Sequence, residues 1–180
     1  MENPVELPPG GGRLSRTVAL TVVVLSVFMA LSQVKDGNIV QAMSQAQTNA
    51  LDRWNEYQAT KTKLHIDETA IAQARVSAGL AAEQVRLARE IVKYRAEIPP
   101  LHGQAEGFAA QYDALNVHDD QFDACDASIG VAIAVAAVAA LSENWLALFV
   151  AWVFGGFGVW MGMAGFLGLQ MASPLATLLS

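Results

Sequence analysis

Residues 127–169 read ASIGVAIAVAAVAALSENWLALFVAWVFGGFGVWMGMAGFLGL, two apolar stretches that only Glu143 and Asn144 separate. The second stretch, 145–169, is long enough to cross a lipid bilayer with some tilt. The first, 127–142, is shorter and rich in alanine, but it contains no charged residue. Because so few polar residues stand between them, we predict that the two stretches form a tight transmembrane hairpin.

A third apolar stretch, TVALTVVVLSVFMALSQV, occupies residues 17–34 and also has no charged residue. Its length is close to the ~20 residues that a membrane-spanning helix needs. The stretch 17–34 also has the layout of a cleaved signal peptide, with a small-residue tripeptide at 30–32. We favour an uncleaved anchor. We therefore predict three transmembrane helices, at 17–34, 127–142 and 145–169. The N-terminal tail is 1–16 and the C-terminal tail is 170–180.

Composition narrows the class of protein. The 180-residue chain has 16% charged residues, a net charge of −6 and one cysteine, whereas typical soluble domains have about 25% charged residues. No basic patch is present to bind phosphates, so we expect no nucleic-acid partner. A single cysteine excludes a disulfide framework within one chain, and no Cys or His spacing suggests a zinc site. We expect no metal and no cofactor.

Basic residues predict the orientation in the membrane. Arg13 and Arg16 precede the first span, and no Lys or Arg follows Arg95. The positive-inside rule then places the N-terminus in the cytoplasm and residues 35–126 on the outer side. Lys35, which follows the first span, is a weaker signal in the opposite direction. We expect the protein in a bacterial cytoplasmic (inner) membrane, with 35–126 in the periplasm or outside the cell.

The segment 35–126 is predicted to be an antiparallel helical hairpin outside the membrane. Its composition favours helix, and Pro99 and Pro100 are the obvious place for a break. Reversal there would leave arms of very unequal length, although both ends must meet the same membrane. Reversal near Gly79 gives two arms of about 65–70 Å each at 1.5 Å per residue. We therefore expect the tip near Gly79 and a kink at 99–100.

Both arms carry apolar residues at helical spacing, and neither has the alternating pattern of a strand. We expect the arms to pair as a coiled coil. The apolar positions are Ile39, Met43, Ala46, Ala50, Trp54, Tyr57 and Leu64 in the first arm, and Val85, Ala88, Ile91 or Val92, Arg95, Leu101, Phe108, Tyr112 and Leu115 in the second.

Three motifs in this order resemble a known family. VKDGNIVQAM (34–43) and WNEYQATK (54–61) follow the first span, DDQFD (119–123) precedes the second, and GMAGFLG (162–168) ends the third. Over about residues 16–169 the chain resembles the bacterial membrane family catalogued as domain of unknown function 4337. The resemblance implies one N-terminal span, a helical extramembrane segment and a C-terminal pair of spans. It implies no activity.

Nothing in the sequence indicates an enzyme. The three histidines lie far apart along the helical arms, at His65, His102 and His118. The sequence contains no recognisable Ser-His-Asp or Cys-His catalytic motif. No glycine-rich loop follows a strand. We interpret the histidines as residues on solvated helix faces.

Asp119, Asp123 and Asp126 form an acidic stripe just before the second span, because they lie at positions i, i+4 and i+7 of a helix. Their mutual repulsion calls for water, for basic residues of a partner or for a divalent cation. We favour a solvated collar over a salt-bridge site for a partner, and both over a metal site. Cys125 lies between Asp123 and Asp126 in the sequence. We interpret it as a small buried residue at the interface, and a disulfide between two copies stays open.

Gly155, Gly158, Gly162 and Gly165 recur at steps of three and four in the third span, so they share one helix face. Such a face allows another helix to approach closely. The neighbour is either another span of the same chain, which we favour, or a helix of another chain.

We therefore expect a non-enzymatic integral membrane protein that acts in assembly or interaction. It would be an accessory subunit of a larger membrane complex or a homo-oligomeric scaffold, with lipid and other subunits or copies of itself as partners. The alternative is an oligomeric channel or transport component whose pore is lined by small residues of the second and third spans, 127–142 and 145–169. No charged residue lies within a span, which disfavours a pathway for ions through one chain.

Overall fold

The computed structural model describes residues 12–76 and 81–169. Over these residues the chain forms three α-helices and no strand: α1 is Arg13–Val76, α2 is Ala81–Leu141 and α3 is Trp145–Phe166. The all-helical prediction is confirmed. Each helix is long enough and contains an apolar stretch sufficient to cross a membrane, judged by length and composition alone. The outer parts of the predicted tails, 1–11 and 170–180, lie outside the described residues.

The helices divide into two compact units. The three-helix unit contains residues 12–40 and 116–169, which are the start of α1, the end of α2 and the whole of α3. The two-helix unit contains the remainder of α1 and α2, within 41–115.

Contacts within the two-helix unit show that its helices run antiparallel. Gln84 Nε2 donates a hydrogen bond to the Ala74 carbonyl oxygen at 2.8 Å, and the Arg95 guanidinium lies 2.6 Å from the Glu68 carboxylate. The rings of Trp54 and His102 are 5.1 Å apart. As the residue number increases along α2, the residue number of its partner on α1 decreases, so the two helices are antiparallel.

Buried positions in this unit follow steps of three and four residues, or sums of these, which is the spacing of helices that bury one narrow stripe. They are Met43, Ala46, Ala50, Thr60, Leu64 and Ala74 on α1, and Leu87, Ile91, Leu101 and Ala105 on α2.

The start of the buried stripe on α2 differs from the sequence-based expectation. Leu87 is buried, whereas Val85 is 53% exposed and Val92 is 68% exposed. Arg95 is exposed and pairs with an acidic residue of α1. The predicted positions Ile91 and Leu101 are buried, so the difference is confined to Val85, Ala88 and Arg95. Alanines and valines around this segment offer two adjacent apolar stripes at the same spacing.

The prolines do not reverse the chain. Pro99 and Pro100 lie inside α2, which continues through both. Proline supplies no backbone N–H, so two hydrogen bonds of the helix ladder are missing here. α1 ends at Val76 and α2 begins at Ala81, and the predicted tip near Gly79 falls in the interval between them. Residues 77–80 themselves lie outside the described part of the chain, and the kink at 99–100 stays a prediction.

The turn between α2 and α3 is short and capped at both ends. Ser142 Oγ donates to the Val138 carbonyl oxygen at 2.7 Å, one helical turn back. Glu143 takes a left-handed backbone conformation with φ 49°. The Asn144 side chain then accepts a hydrogen bond from the Leu146 amide at 2.8 Å and begins α3 as its N-cap. Three polar residues, 142–144, thus suffice to reverse the chain between two apolar helices.

Candidate functional site

One face of α3 lies buried in the three-helix unit, and it contains all four glycines of the predicted small-residue face. A helix turns 100° per residue, so positions three and four apart point in similar directions. The buried residues are Leu148, Ala151, Gly155, Gly158, Met161, Gly162, Ala164 and Gly165.

At the middle of this face α3 approaches the backbone of α2. A Cβ atom built on Gly158 would lie 2.7 Å from Ile129 Cγ1 and 3.0 Å from the Cys125 carbonyl oxygen. One built on Gly162 would lie 2.8 Å from a ring carbon of Phe28 and 2.9 Å from the Cys125 sulfur. The glycines therefore make room for α1 and α2 of the same chain.

The glycine positions toward the two ends of this face meet large side chains. A Cβ atom on Gly155 would lie 3.0 Å from Leu25 Cδ1, and one on Gly165 would lie 2.9 Å from the Phe122 ring. Phe122 also packs edge-to-face on Phe166, with ring centroids 5.3 Å apart. Geometry of this kind is favourable for aromatic pairs. Large residues of α1 and α2 thus fill the groove that the glycines leave on α3.

Two side-chain hydrogen bonds in the three-helix unit join α3, or the residues that follow it, to the other helices. Trp152 Nε1 donates to Thr21 Oγ1 at 3.0 Å, which joins α3 to α1. Gln121 Nε2 donates to the Leu169 carbonyl oxygen at 2.7 Å. A hydrogen bond of this kind lowers the cost of placing a polar group where water is absent.

Cys125 is a free, fully buried cysteine. Its thiol lies 3.7 Å from the hydroxyl of Ser32, which is also fully buried. A disulfide between two copies would require the thiol to leave this contact between α1 and α2.

The acidic stripe is joined by a fourth carboxyl group from α1. Asp119 and Asp36 are close enough to share a hydrogen bond, and burial together with the charge of Asp36 raises the pKa of Asp119 to about 6. Burial also raises the pKa of Asp36. Asp126 is partly buried beside Gln33, and burial raises its pKa although Gln33 bonds its carboxyl group. Asp123 is exposed.

The predicted collar therefore has two environments, partly buried at Asp119 and Asp126 and solvated at Asp123. The acidic pattern alone does not identify Asp36 as a member. The available signal is position, because Asp36 lies two residues after the apolar stretch 17–34 and Asp126 directly precedes 127–142. Across the described residues, no three His, Cys, Asp or Glu side chains are arranged to hold a metal ion.

The structure does not gather the three histidines into one site. His65 lies 3.5 Å from Glu68, and His102 lies 3.3 Å from Glu106. His118 Nδ1 is 3.2 Å from the Gln121 amide oxygen. Each histidine thus has a neighbour three or four residues away on its own helix.

Arg13 and Arg16, the predicted topology signal, lie exposed in the first turn of α1. The Arg16 amide donates to the Gly12 carbonyl oxygen at 3.3 Å, and Thr17 Oγ1 donates to the Arg13 carbonyl oxygen at 2.9 Å. Both guanidinium groups are therefore available at the end of an apolar helical segment.

No curated protein and no solved structure matches the chain. A family model described as "Domain of unknown function (DUF4337)" matches residues 14–168. The match includes the first apolar segment, both long helices and the glycine face of α3. The chain therefore belongs to the DUF4337 family.

Proposed function

We propose that this protein is a non-enzymatic integral membrane protein that acts in assembly or interaction, as an accessory subunit of a larger membrane complex or as a homo-oligomeric scaffold. Its three membrane spans would be 17–34, 127–142 and 145–169. The observation that carries the proposal is the distribution of apolar side chains in the three-helix unit. Large apolar residues cover its exterior as well as contributing to its interior, so the unit has an apolar outer surface.

The exterior residues are unsuited to water but suited to lipid. Monomeric soluble proteins rarely expose contiguous apolar patches larger than a few hundred Å², and lipid tails are as apolar as these side chains. The exposed residues include Leu20, Val23, Val24, Val27 and Leu31 on α1, Val131 and Val138 on α2, and Phe149, Trp152, Val153, Phe154 and Trp160 on α3.

The two-helix unit has a different outer surface, which supports a location outside the bilayer. Ion pairs cover parts of it, such as Arg53 with Glu56 and Arg86 with Glu90. Charges of this density are costly inside hydrocarbon. We propose that residues 35–126 form an extramembrane coiled coil that offers binding surfaces to other subunits or to further copies of the chain.

Exposed apolar residues of the two-helix unit support this interaction role. Ile66 on α1 is 61% exposed, and Val85 and Val92 on α2 are 53% and 68% exposed. They stand outside the buried stripe, so they do not contribute to the pairing of α1 with α2. A partner helix would cover them.

The alternative function as a channel has less support. Ala132, Ala136 and Ala139 of α2 are fully buried within the chain's own packing. These three alanines cannot line a pore between copies unless α2 leaves its neighbours. A pore would therefore have to use the exposed small residues of α2, which are Gly130, Ala134 and Ala137.

Native mass spectrometry of the detergent-extracted complex tests the proposal. We expect the chain to leave the membrane in fixed stoichiometry with a different membrane protein, or with a fixed number of its own copies. A closed ring of identical copies that conducts ions in a planar bilayer would favour the channel instead. A monomer at native expression levels would contradict the assembly role.

We predict a cytoplasmic N-terminus and an external two-helix unit, because Arg13 and Arg16 precede the first span. A Gln58→Cys variant, with its thiol at an exposed position of α1, should react with a membrane-impermeant maleimide in intact spheroplasts. A Ser15→Cys variant, also exposed, should react only after the membrane is permeabilised. The native Cys125 is buried and serves as the background. The reverse pattern of labelling would invert the proposed orientation.

A further inference from the structure

Three buried carboxylate oxygens between α1 and α2 lack a hydrogen-bond partner. Among the described residues, the buried side-chain nitrogen or oxygen atoms without a partner are Asp36 Oδ1, Asp67 Oδ2 and Asp126 Oδ1. A buried carboxylate oxygen that accepts no hydrogen bond is costly when the group is ionised, and the cost falls when a proton neutralises it. All of the buried side-chain atoms without a partner in the described residues are thus aspartate carboxylate oxygens.

Two of these aspartates contact a second carboxyl group on the other helix. In the three-helix unit the carboxyl group of Asp36 on α1 lies within hydrogen-bonding reach of Asp119 on α2. In the two-helix unit Asp67 of α1 lies within the same reach of Glu90 on α2. A hydrogen bond between two carboxyl groups requires a proton on one of them, because two carboxylates only accept. Each contact therefore holds a proton or is repulsive.

Charges around the Asp36–Asp119 pair do not replace that proton. The acidic side chains that act on the pair from α2 are Asp120, Asp123 and Asp126, and each favours the protonated form. The other titratable neighbours in sequence are His118, which contacts Gln121, and Lys35, which is exposed. Residues 145–169, which include α3, contain no charged residue.

The Asp67–Glu90 pair has one cation nearby. Arg86 of α2 binds the carboxylates of Glu83 and Glu90. It favours ionisation of Asp67, whereas burial, Glu90 and Glu83 oppose it, and the balance raises the pKa of Asp67. One arginine is thus shared among three carboxyl groups.

We propose that the Asp36–Asp119 and Asp67–Glu90 pairs make the pairing of α1 with α2 sensitive to pH. A proton held between the two carboxyl groups of each pair joins the helices in mildly acid solution. When the pH rises, that proton goes to water, both groups become carboxylates, and their repulsion weakens the pairing. The proposal concerns contacts within each unit and does not rest on the proposed function.

The direction of the pH effect follows from the raised pKa values. A carboxyl group whose pKa is raised by folding contributes stability that is complete below the pKa of the unfolded chain, about 4. That contribution is lost as the pH rises through the folded-state pKa, which is about 6 for Asp119. Stability from the Asp36–Asp119 pair therefore falls mainly between about pH 4 and pH 7.

Other groups change stability in the opposite direction, but at lower pH. Arg95 lowers the pKa of Glu68, and Arg86 lowers the pKa of Glu83. The contribution of these glutamates is complete above the model-peptide value for Glu, about 4.3, and is lost in stronger acid. At or above about pH 5, the difference between a variant and the parent thus reports on the carboxyl pair that the variant changes. The His65–Glu68 and His102–Glu106 contacts remain in every variant, so their effect cancels in a comparison.

The test is thermal unfolding of the full chain in detergent micelles at about pH 5, 6.5 and 8, a range that includes the folded-state pKa of Asp119. The variants are Asp119→Asn, Asp36→Asn and Asp67→Asn, because an amide keeps the shape of the side chain and donates a hydrogen bond without a charge. Asp113→Asn, at an exposed position of α2, is the matched control.

We expect the Tm of the parent to fall as the pH rises. Each of the three variants should raise Tm at pH 8, by about 2–4 °C, the shift that a chain of this size shows for a modest gain in stability. A variant with one substitution in each pair, Asp119→Asn with Asp67→Asn, should show a flatter pH dependence than the parent. The control should follow the parent. A lower Tm at pH 8 in the three single variants, or a pH dependence equal to that of the parent, would overturn the proposal.

Discussion

Replacing Gly158 by alanine should lower the free energy of unfolding by about 1–3 kcal/mol, the usual cost of overpacking a tight interior. The added methyl group would lie 2.7 Å from Ile129 Cγ1 and 3.0 Å from the backbone carbonyl oxygen of Cys125. A backbone atom cannot rotate away as a side chain does, so α3 must move off α2. Lipid provides no hydrophobic force to restore the lost packing between the helices.

Gly156 provides the control, because it lies on the same helix and a Cβ atom built on it meets no atom of the described chain within 4 Å. Gly156→Ala should leave stability unchanged or raise it slightly, since alanine favours helix over glycine. Gly162→Ala should fall between the two, because its nearest neighbours are the Phe28 ring and the Cys125 thiol, which can adjust.

The measurement is unfolding by sodium dodecyl sulfate in mixed micelles, followed by tryptophan fluorescence, with oligomer yield from blue-native electrophoresis of the same samples. Equal stability of Gly158→Ala and Gly156→Ala would mean that α3 does not approach the α2 backbone in the membrane. A loss of oligomer without a loss of stability in Gly158→Ala would assign the glycine face to contacts between chains.

Phe122→Ala should lower the free energy of unfolding by about 3–5 kcal/mol, the range for removing a buried phenylalanine ring. Phe122 is 1% exposed and is among the largest fully buried side chains in the described residues. Its ring covers Gly165 and packs edge-to-face on Phe166, so its loss leaves a cavity where α2 supports the end of α3. This should be the most damaging single truncation in the three-helix unit.

Phe149→Ala is the matched control, because Phe149 lies on α3 but is 61% exposed. It removes the same number of atoms from a side chain that we expect to face lipid, so folding should be nearly unchanged. If both truncations cost the same in mixed micelles, Phe122 is not buried in the folded protein. If Phe149→Ala instead reduces the yield of the native complex, that part of α3 contacts another subunit.

Much of the secondary structure could be predicted from the sequence because its signals are local. Apolar stretches without charge predict the helical segments 17–34, 127–142 and 145–169, and the helix-favouring composition of 35–126 predicts the rest. The spacing of Gly155, Gly158, Gly162 and Gly165 places them on one helix face, and the structure finds all four buried. Spacing along one helix depends only on that helix, so no knowledge of its neighbours is needed.

Which residues meet across helices was decided by tertiary structure alone. Two apolar stripes on α2 have the same periodicity, and only the packing against α1 selects Leu87 over Val85 for burial. Asp36 and Asp119 are remote in sequence, and their contact depends on where the chain reverses. The glycine spacing likewise leaves the neighbour unidentified, whereas in the structure Phe28, Phe122 and Ile129 fill the groove. Periodicity determines the face that a helix buries, but the register between helices depends on side-chain shapes on both, which a single helical pattern does not contain.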